Sequence, residues 1–295
     1  MQPNPILKKL GYSANDRLVI IHTDDIGMCH ASLQAYRELT DFGIVSSGSA
    51  MVPCAWFPSV AAYCRANPEA DMGVHLTLTS EWDSYRWSPI STMDPKSGMI
   101  DAEGYFHRRS EETQSYADPE AVQVELSSQL DRALNSGVQV SHLDTHMLTV
   151  AYPKFVPAYI QLAIQSKLPF LFPRMDAASF TQIGLDPETA AIAASFVSIL
   201  EEQGMPLVDH VSGLDLDKPL DRLNYAKQKL SALPSGITHF VIHPSVDTPE
   251  LAAITPDWRS RVADYLTFKD ESLRQHISKE GIQTIGYRML QGLIY

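Results

Sequence analysis

RLVIIHT (residues 17–23), running directly into DDIG (residues 24–27), is the stretch on which the fold turns. Arg17–Thr23 is a short apolar run rich in β-branched residues and reads as a strand. Asp24 and Asp25 follow it at once. Two adjacent carboxylates after an apolar strand are costly to bury unless something compensates their charge. A metal ion is the simplest compensation. The competing reading is an N-cap for a helix that starts near His30.

Outward from this stretch, similar runs recur at Ile44–Val52, Asp71–Leu78, Val138–Leu143, Pro169–Phe172, Pro206–Val208, Ile237–Ile242 and Gln283–Gly286. Several of the intervals carry amphipathic helical patterns: Ala31–Asp41, Pro119–Asn135, Pro153–Ser166 and Leu220–Leu233. Gly43 and Gly137 follow the first two, a common helix stop. Eight strands alternating with helices predict parallel βαβ units, with a closed or distorted (β/α) barrel as the favoured architecture. The alternative is an open doubly wound sheet, whose GxGxxG after the first strand is absent. No internal repeat marks a second unit, so residues 1–295 read as a single domain. Ser80–Asp118 interrupts the rhythm: it is long, polar and rich in Pro, Gly and aromatics. In a barrel it is a βα loop on the C-terminal face, where binding loops and lids lie; a surface hairpin is the plainer reading.

The bulk composition narrows the function classes. The chain has 295 residues and a formal net charge of −12. With Lys8-Lys9 and Arg108-Arg109 as isolated pairs, it lacks the basic cluster that nucleic-acid binding needs. Three cysteines (Cys29, Cys54, Cys64) without a CxxC spacing argue against a disulfide framework and a structural zinc site. No signal-peptide pattern and no apolar run of roughly 20 residues is found, so no membrane partner and a cytoplasmic location are expected.

Polar residues gather at the predicted strand ends. SHLDTH (residues 141–146) contains an HxDxH spacing that puts His142, Asp144 and His146 on one face of an extended chain. A histidine with a carboxylate partner is the usual arrangement around a metal. GVHL (residues 73–76) places His75 inside an apolar strand, where by itself it reads as a hydrogen-bonded core residue. His243, before Pro244, repeats the strand-end pattern, and Arg174 is a candidate partner for an Asp or a surface ion pair. One Asp and two His with open positions suit a hydrolytic divalent ion. A serine triad lacks its GxSxG elbow, and no signature flanks Cys29.

These motifs resemble those of the YdjC/ChbG-like carbohydrate deacetylases, relatives of the polysaccharide deacetylases. The resemblance covers roughly Arg17–Tyr287 and rests on Asp24-Asp25-Ile26-Gly27, Gly73-Val74-His75-Leu76, His142-Leu143-Asp144-Thr145-His146 and His243-Pro244. It implies a distorted (β/α) barrel and hydrolysis of N-acetyl groups on amino sugars or short acetylated oligosaccharides. The implied metal ligands are Asp25, His75 and His146, and the ion magnesium or zinc, with manganese or cobalt also suited. Asp24 matches the catalytic base, His243 the general acid, and Arg174, more loosely, the arginine that orients the catalytic carboxylate. His142 and Asp144 would support the ligands, and Trp82, Tyr85, Trp87 and Phe106 of the insertion are candidate walls of a sugar subsite. A homodimer is also implied. Ile26 stands where the family usually has Phe, and Met147-Leu148 where many members have His or Gly. A non-catalytic metal- or sugar-binding homologue, or a hydrolase of another ester or amide, are the alternatives. Retention of both Asp24 and His243 favours an enzyme.

Overall fold

Among the described residues, seven parallel strands form the frame: β1 (Arg17–Ile26), β2 (Ser47–Ala50), β3 (Met72–Leu76), β4 (Val140–Thr145), β5 (His210–Gly213), β6 (Gly236–Ile242) and β7 (Gln283–Thr284). The computed structural model describes residues 2–218 and 220–294. The strand order is β4-β3-β2-β1-β6-β5, and β7 pairs with the start of β1. The ring closes through an irregular stretch between β4 and β5. Leu143 bridges to Phe170 and Pro173 to Val208, and Asp209 N–H then bonds the Ile237 carbonyl beside β6. The expected strand at Pro169–Phe172 is thus reduced to single bridges, and that at Pro206–Val208 gives way to β5 two residues later. Pro169, Pro173 and Pro206 each lack the N–H that a ladder requires. This is the distortion in the barrel.

The helices follow the apolar periodicity of the sequence. Pro119–Asn135 forms over its predicted span, with Asp118 accepting the N–H groups of Glu120 and Ala121. His30–Phe42 ends at Gly43, whose φ of 81° is the left-handed stop that glycine adopts without cost. Val156–Ser166 starts later than expected, and Arg222–Ser231 is shorter than expected at both ends. Residues of β1 alternate between two apolar clusters. Val19 and Ile21 pack with the surrounding helices, whereas Leu18 and Ile20 join Ile6, Leu171, Ile237 and Tyr287. His22 and then Asp24 continue the second row toward the C-terminal mouth.

Two ladders carry an extra residue where the row turns polar. Between Thr23 and Ile26, β1 advances three positions while β2 advances two, Gly48 to Ala50. Between Val140 and Leu143, β4 likewise advances three against two on β3. Such bulges re-aim side chains next to functional sites.

The insertion is ordered by its own elements and by the helix that follows. It contains a short 3-10 turn (Pro95–Ser97), a helix (Ser110–Tyr116) and an antiparallel bridge between Ile100 and Phe106. Glu125, fully buried on helix Pro119–Asn135, accepts the backbone N–H groups of Ile90 and Ser91 and the Gln129 amide. Glu125→Ala leaves those two part-buried backbone donors without an acceptor. The expected loss is about 2–4 kcal/mol of stability, measured by chemical denaturation, with faster proteolysis near Ile90.

Candidate metal centre

The extra residue in β1 is Asp25, which sits in the left-handed region at φ 60°. In a regular strand Asp24 and Asp25 would point to opposite faces. The bend brings both carboxylates to the barrel mouth.

Asp25 is 2% exposed, and its two oxygens have different surroundings. Oδ2 accepts a hydrogen bond of 2.7 Å from the Arg261 guanidinium, itself buried. Oδ1 stands 3.1 Å from His146 Nδ1 and 3.3 Å from His75 Nε2, and those nitrogens are 3.3 Å apart. Among the described residues no donor is aligned to give Oδ1 a hydrogen bond. Three potential ligand atoms thus form a nearly equilateral triangle, one corner of which is a buried carboxylate oxygen with no aligned donor. Ligands about 2.1 Å from an ion, spaced at about 90–110°, lie roughly 3.0–3.4 Å apart. Asp25, His75 and His146 therefore fit a divalent ion in both donor chemistry and spacing.

The far nitrogen of each imidazole is held by a carboxylate. His75 Nδ1 meets Asp144 Oδ1 at 2.9 Å, and Ser49 Oγ donates to Asp144 Oδ2 at 2.8 Å. His146 Nε2 meets Glu81 Oε2 at 3.1 Å. Such partners select the tautomer and raise ligand basicity. The cluster is strongly polarised by its own charges. Burial raises the Asp25 pKa, but Arg261 and His146 outweigh it and hold the carboxyl well below the usual range. Burial lowers the His75 pKa, but Asp144 and Asp24 drive it well above normal. His146 is likewise opposed by burial, yet Glu81 and Asp25 bring it to about 9.

Asp24 lies beside this triangle rather than in it. Its Oδ1 pairs with His22 Nδ1 at 2.9 Å; its Oδ2 faces His75 Nε2 at 3.9 Å and His243 Nε2 at 3.8 Å. Burial raises its pKa, but the His75 charge and the His22 hydrogen bond prevail and lower it. The His243 backbone N–H donates to Asp264 Oδ2 at 3.0 Å, and Arg222 occupies the other oxygen of Asp264.

The structure does not bring Arg174 to Asp24. Its guanidinium pairs with Glu201 and faces Asp209 on the barrel flank, because the irregular stretch after Pro173 carries it away from the mouth. It lines a flank cavity of about 1460 Å³ whose lining omits Asp24, Asp25, His75 and His243. The buried arginine that reaches a ligand carboxylate, Asp25, is Arg261, from helix Trp258–Phe268. Arg261 and Asp264, three residues apart on one helix face, hold Asp25 and His243 respectively. Charged residues on the buried face of a helix were the available signal for both. Glu81 and the buried His22 and His239 also lie outside any sequence motif.

The aromatic residues of the insertion are mostly packed inward. Phe106 is fully buried, and Trp87, 4% exposed, donates Nε1–H to the Thr79 carbonyl and lies edge-on to His146. They brace the site from behind and cannot form an open sugar wall, because their ring faces are spent on Trp82, Tyr85 and the core. Trp82 packs under the Arg261 guanidinium with 5.6 Å between charge and ring centre. Tyr85 is only partly buried and keeps its hydroxyl on the Met28 carbonyl.

The family model described as YdjC-like protein matches residues 18–279. A carbohydrate deacetylase of Thermus thermophilus is 32% identical over 274 residues, covering 93% of this chain and 94% of that protein. Another, from Thermoanaerobacter pseudethanolicus, is 22% identical and is covered along its full length, 100%, by 93% of this chain. A crystal structure from Enterococcus faecalis, named for a proposed role in cellobiose-phosphate cleavage, shares the fold. Its TM-score is 0.74 at 20% identity, covering 93% of this chain and 99% of that one.

The raised His146 pKa makes the metal-free protein pH-sensitive. A group whose pKa is higher in the folded state than in the unfolded state stabilises fully below the unfolded value, near 6.5. That contribution is lost as pH rises through about 9. In chelator, the melting temperature should fall by several degrees between pH 6.5 and 9, and Glu81→Gln should flatten the decline. A flat profile for the unsubstituted chain would contradict the His146 environment described above.

Proposed function

The chain belongs to the YdjC-like protein family, and from that premise we propose that it is a metal-dependent carbohydrate deacetylase. Its substrates on this reading are N-acetylated amino sugars or short acetylated oligosaccharides. The observation that carries the proposal is the triangle of Asp25 Oδ1, His75 Nε2 and His146 Nδ1, with Asp24 and His243 together at its edge. Asp25, His75 and His146 would hold the ion, magnesium or zinc. When bound, it supplies Lewis-acid polarisation of the acetyl carbonyl and a water of lowered pKa.

The chain's own residues account for the proton movements. Asp24 presents Oδ2 to the mouth, while its Oδ1 is engaged by His22. Oδ2 takes a proton from the water whose oxygen attacks the acetyl carbon. His243 stands across a gap of 3.8 Å, too wide for a direct hydrogen bond and open to a reacting group. It gives its proton to the amine nitrogen as the C–N bond breaks, so that acetate and the free amino sugar result. Arg261 keeps Asp25 ionised, which reserves Asp25 for the ion and leaves proton transfer to Asp24. Two neighbouring carboxylates are thereby divided into two roles by their different partners. The cytoplasmic location and homodimer expected from the sequence belong to the same proposal.

Two substitutions separate these roles. Asp24→Asn should retain stoichiometric metal and lower kcat on N-acetylated chitooligosaccharides about 10²–10⁴-fold. His146→Ala should lose the metal itself, read by elemental analysis. Undiminished turnover in Asp24→Asn would remove Asp24 as the base, and full metal content in His146→Ala would remove that ligand. An ion-loaded wild-type protein that frees no acetate from any acetylated amino sugar would end the deacetylase reading.

A further inference from the structure

Below the metal centre the barrel interior is polar, where such barrels are usually filled by branched apolar side chains. His22, His142 and His239 are all fully buried there. The fold makes specific room for His142. It lies in the bulge of β4, and a Cβ on the facing Gly73 would lie 2.5–2.7 Å from three of its ring atoms. Its other face stacks on Tyr287, with ring centres 3.9 Å apart.

A continuous hydrogen-bond column passes through this ring. Asp24 Oδ1 meets His22 Nδ1 at 2.9 Å, and His22 Nε2 meets His142 Nε2 at 2.8 Å. His142 Nδ1 meets Ser141 Oγ at 2.9 Å, and Ser141 Oγ donates to Asp71 Oδ1 at 2.7 Å. Asp71 precedes β3 and so lies at the N-terminal end of the barrel, opposite the metal centre.

Donor accounting gives the column a direction. Three donors converge on the Asp71 carboxylate: Ser47 Oγ, Ser141 Oγ and the Arg288 backbone N–H. Ser141 has one hydroxyl proton, and Asp71 takes it. Toward His142, Ser141 therefore offers only a lone pair, so His142 Nδ1 carries the proton. Burial and the neighbouring His22 hold His142 well below the usual imidazole pKa, so the ring is neutral and its Nε2 is an acceptor. His22 Nε2 must then donate; Asp144 Oδ2, 3.4 Å away, also accepts on that side. The 2.9 Å contact between His22 Nδ1 and Asp24 Oδ1 closes the column at the upper end. That oxygen is thus occupied, and Oδ2 is left facing the mouth.

We propose that His22 and His142 are positioning residues that aim Asp24 Oδ2 at the reacting group, through a hydrogen-bond column oriented by Asp71 at the far end of the barrel. The proposal rests on the reading of Asp24 as the general base. It explains why a barrel core spends apolar volume on a histidine pair, and why β3 has glycine opposite His142.

The test uses the full-length, metal-loaded protein. His142→Phe keeps the ring stack and removes both polar atoms. It should lower kcat about 10–100-fold with KM and metal content unchanged. His142→Gln, whose amide can accept from His22 and donate to Ser141, should recover most of the loss. Wild-type kcat in His142→Phe, or equal impairment of the two variants, would overturn the positioning role. Where His142→Phe does not fold, Ser141→Ala keeps every ring and should show the same kcat loss at unchanged KM. A second readout needs no substrate: nitrogen NMR of histidine-labelled protein should show His142 protonated on Nδ1 only, with scalar coupling across its hydrogen bond to His22. A proton on His142 Nε2 would overturn the column's direction. With the expected tautomer in hand, a wild-type protein inactive on acetylated sugars would sink the deacetylase reading, and with it the catalytic part of this proposal, but not the column.

Discussion

A carboxylate with almost no access to water, Asp25, is the constraint around which the rest of the molecule is arranged. Removing such a charge from water costs several kcal/mol even after the protein relaxes. The chain compensates on both oxygens. Arg261 reaches one from helix Trp258–Phe268, and two imidazole nitrogens from β3 and the end of β4 converge on the other. That convergence fits a cation better than it fits hydrogen bonds, since no donor is aligned on Oδ1 among the described residues. The left-handed backbone at Asp25 is tolerable for aspartate and is held by the bulge.

The parallel barrel lets these demands be met from separate elements. Register keeps the C-terminal ends of the strands level, Thr23 beside Ile242 and Leu76 beside Thr145. Side chains that follow those positions therefore meet at one mouth. Each can then be given its own support from behind: Glu81 from the insertion, Asp144 and Ser49 from within the sheet, Asp264 from a helix. The supports differ in charge and reach, so chemically identical groups acquire different properties. Asp24 and Asp25 are the clearest case: one rests on histidines, the other on an arginine.

The pattern of apolar runs and helical periods was legible along the chain because it reflects local burial, which repeats at short range. It missed most where proline weakened pairing, as at Pro169–Phe172, since a bridge there depends on what lies across the gap. Aromatic content suggested an open wall in the insertion. Burial decided otherwise for Trp87 and Phe106, because whether a ring faces solvent or core depends on the helix packed over it.

By itself the sequence determined the strand-end placement of Asp24, Asp25, His142, Asp144, His146 and His243, because each directly ends or follows an apolar run. It also carried the family likeness that singled out His75, which its own surroundings marked only as core. Tertiary structure alone decided which charges meet. Arg261 rather than Arg174 reaches the centre, Glu81 takes the far side of His146, and His22 links Asp24 to a column ending at Asp71. These partners lie 2 to 236 residues apart along the chain. Electrostatic partnership is set by distance in space, and only the closed ring of strands fixes those distances.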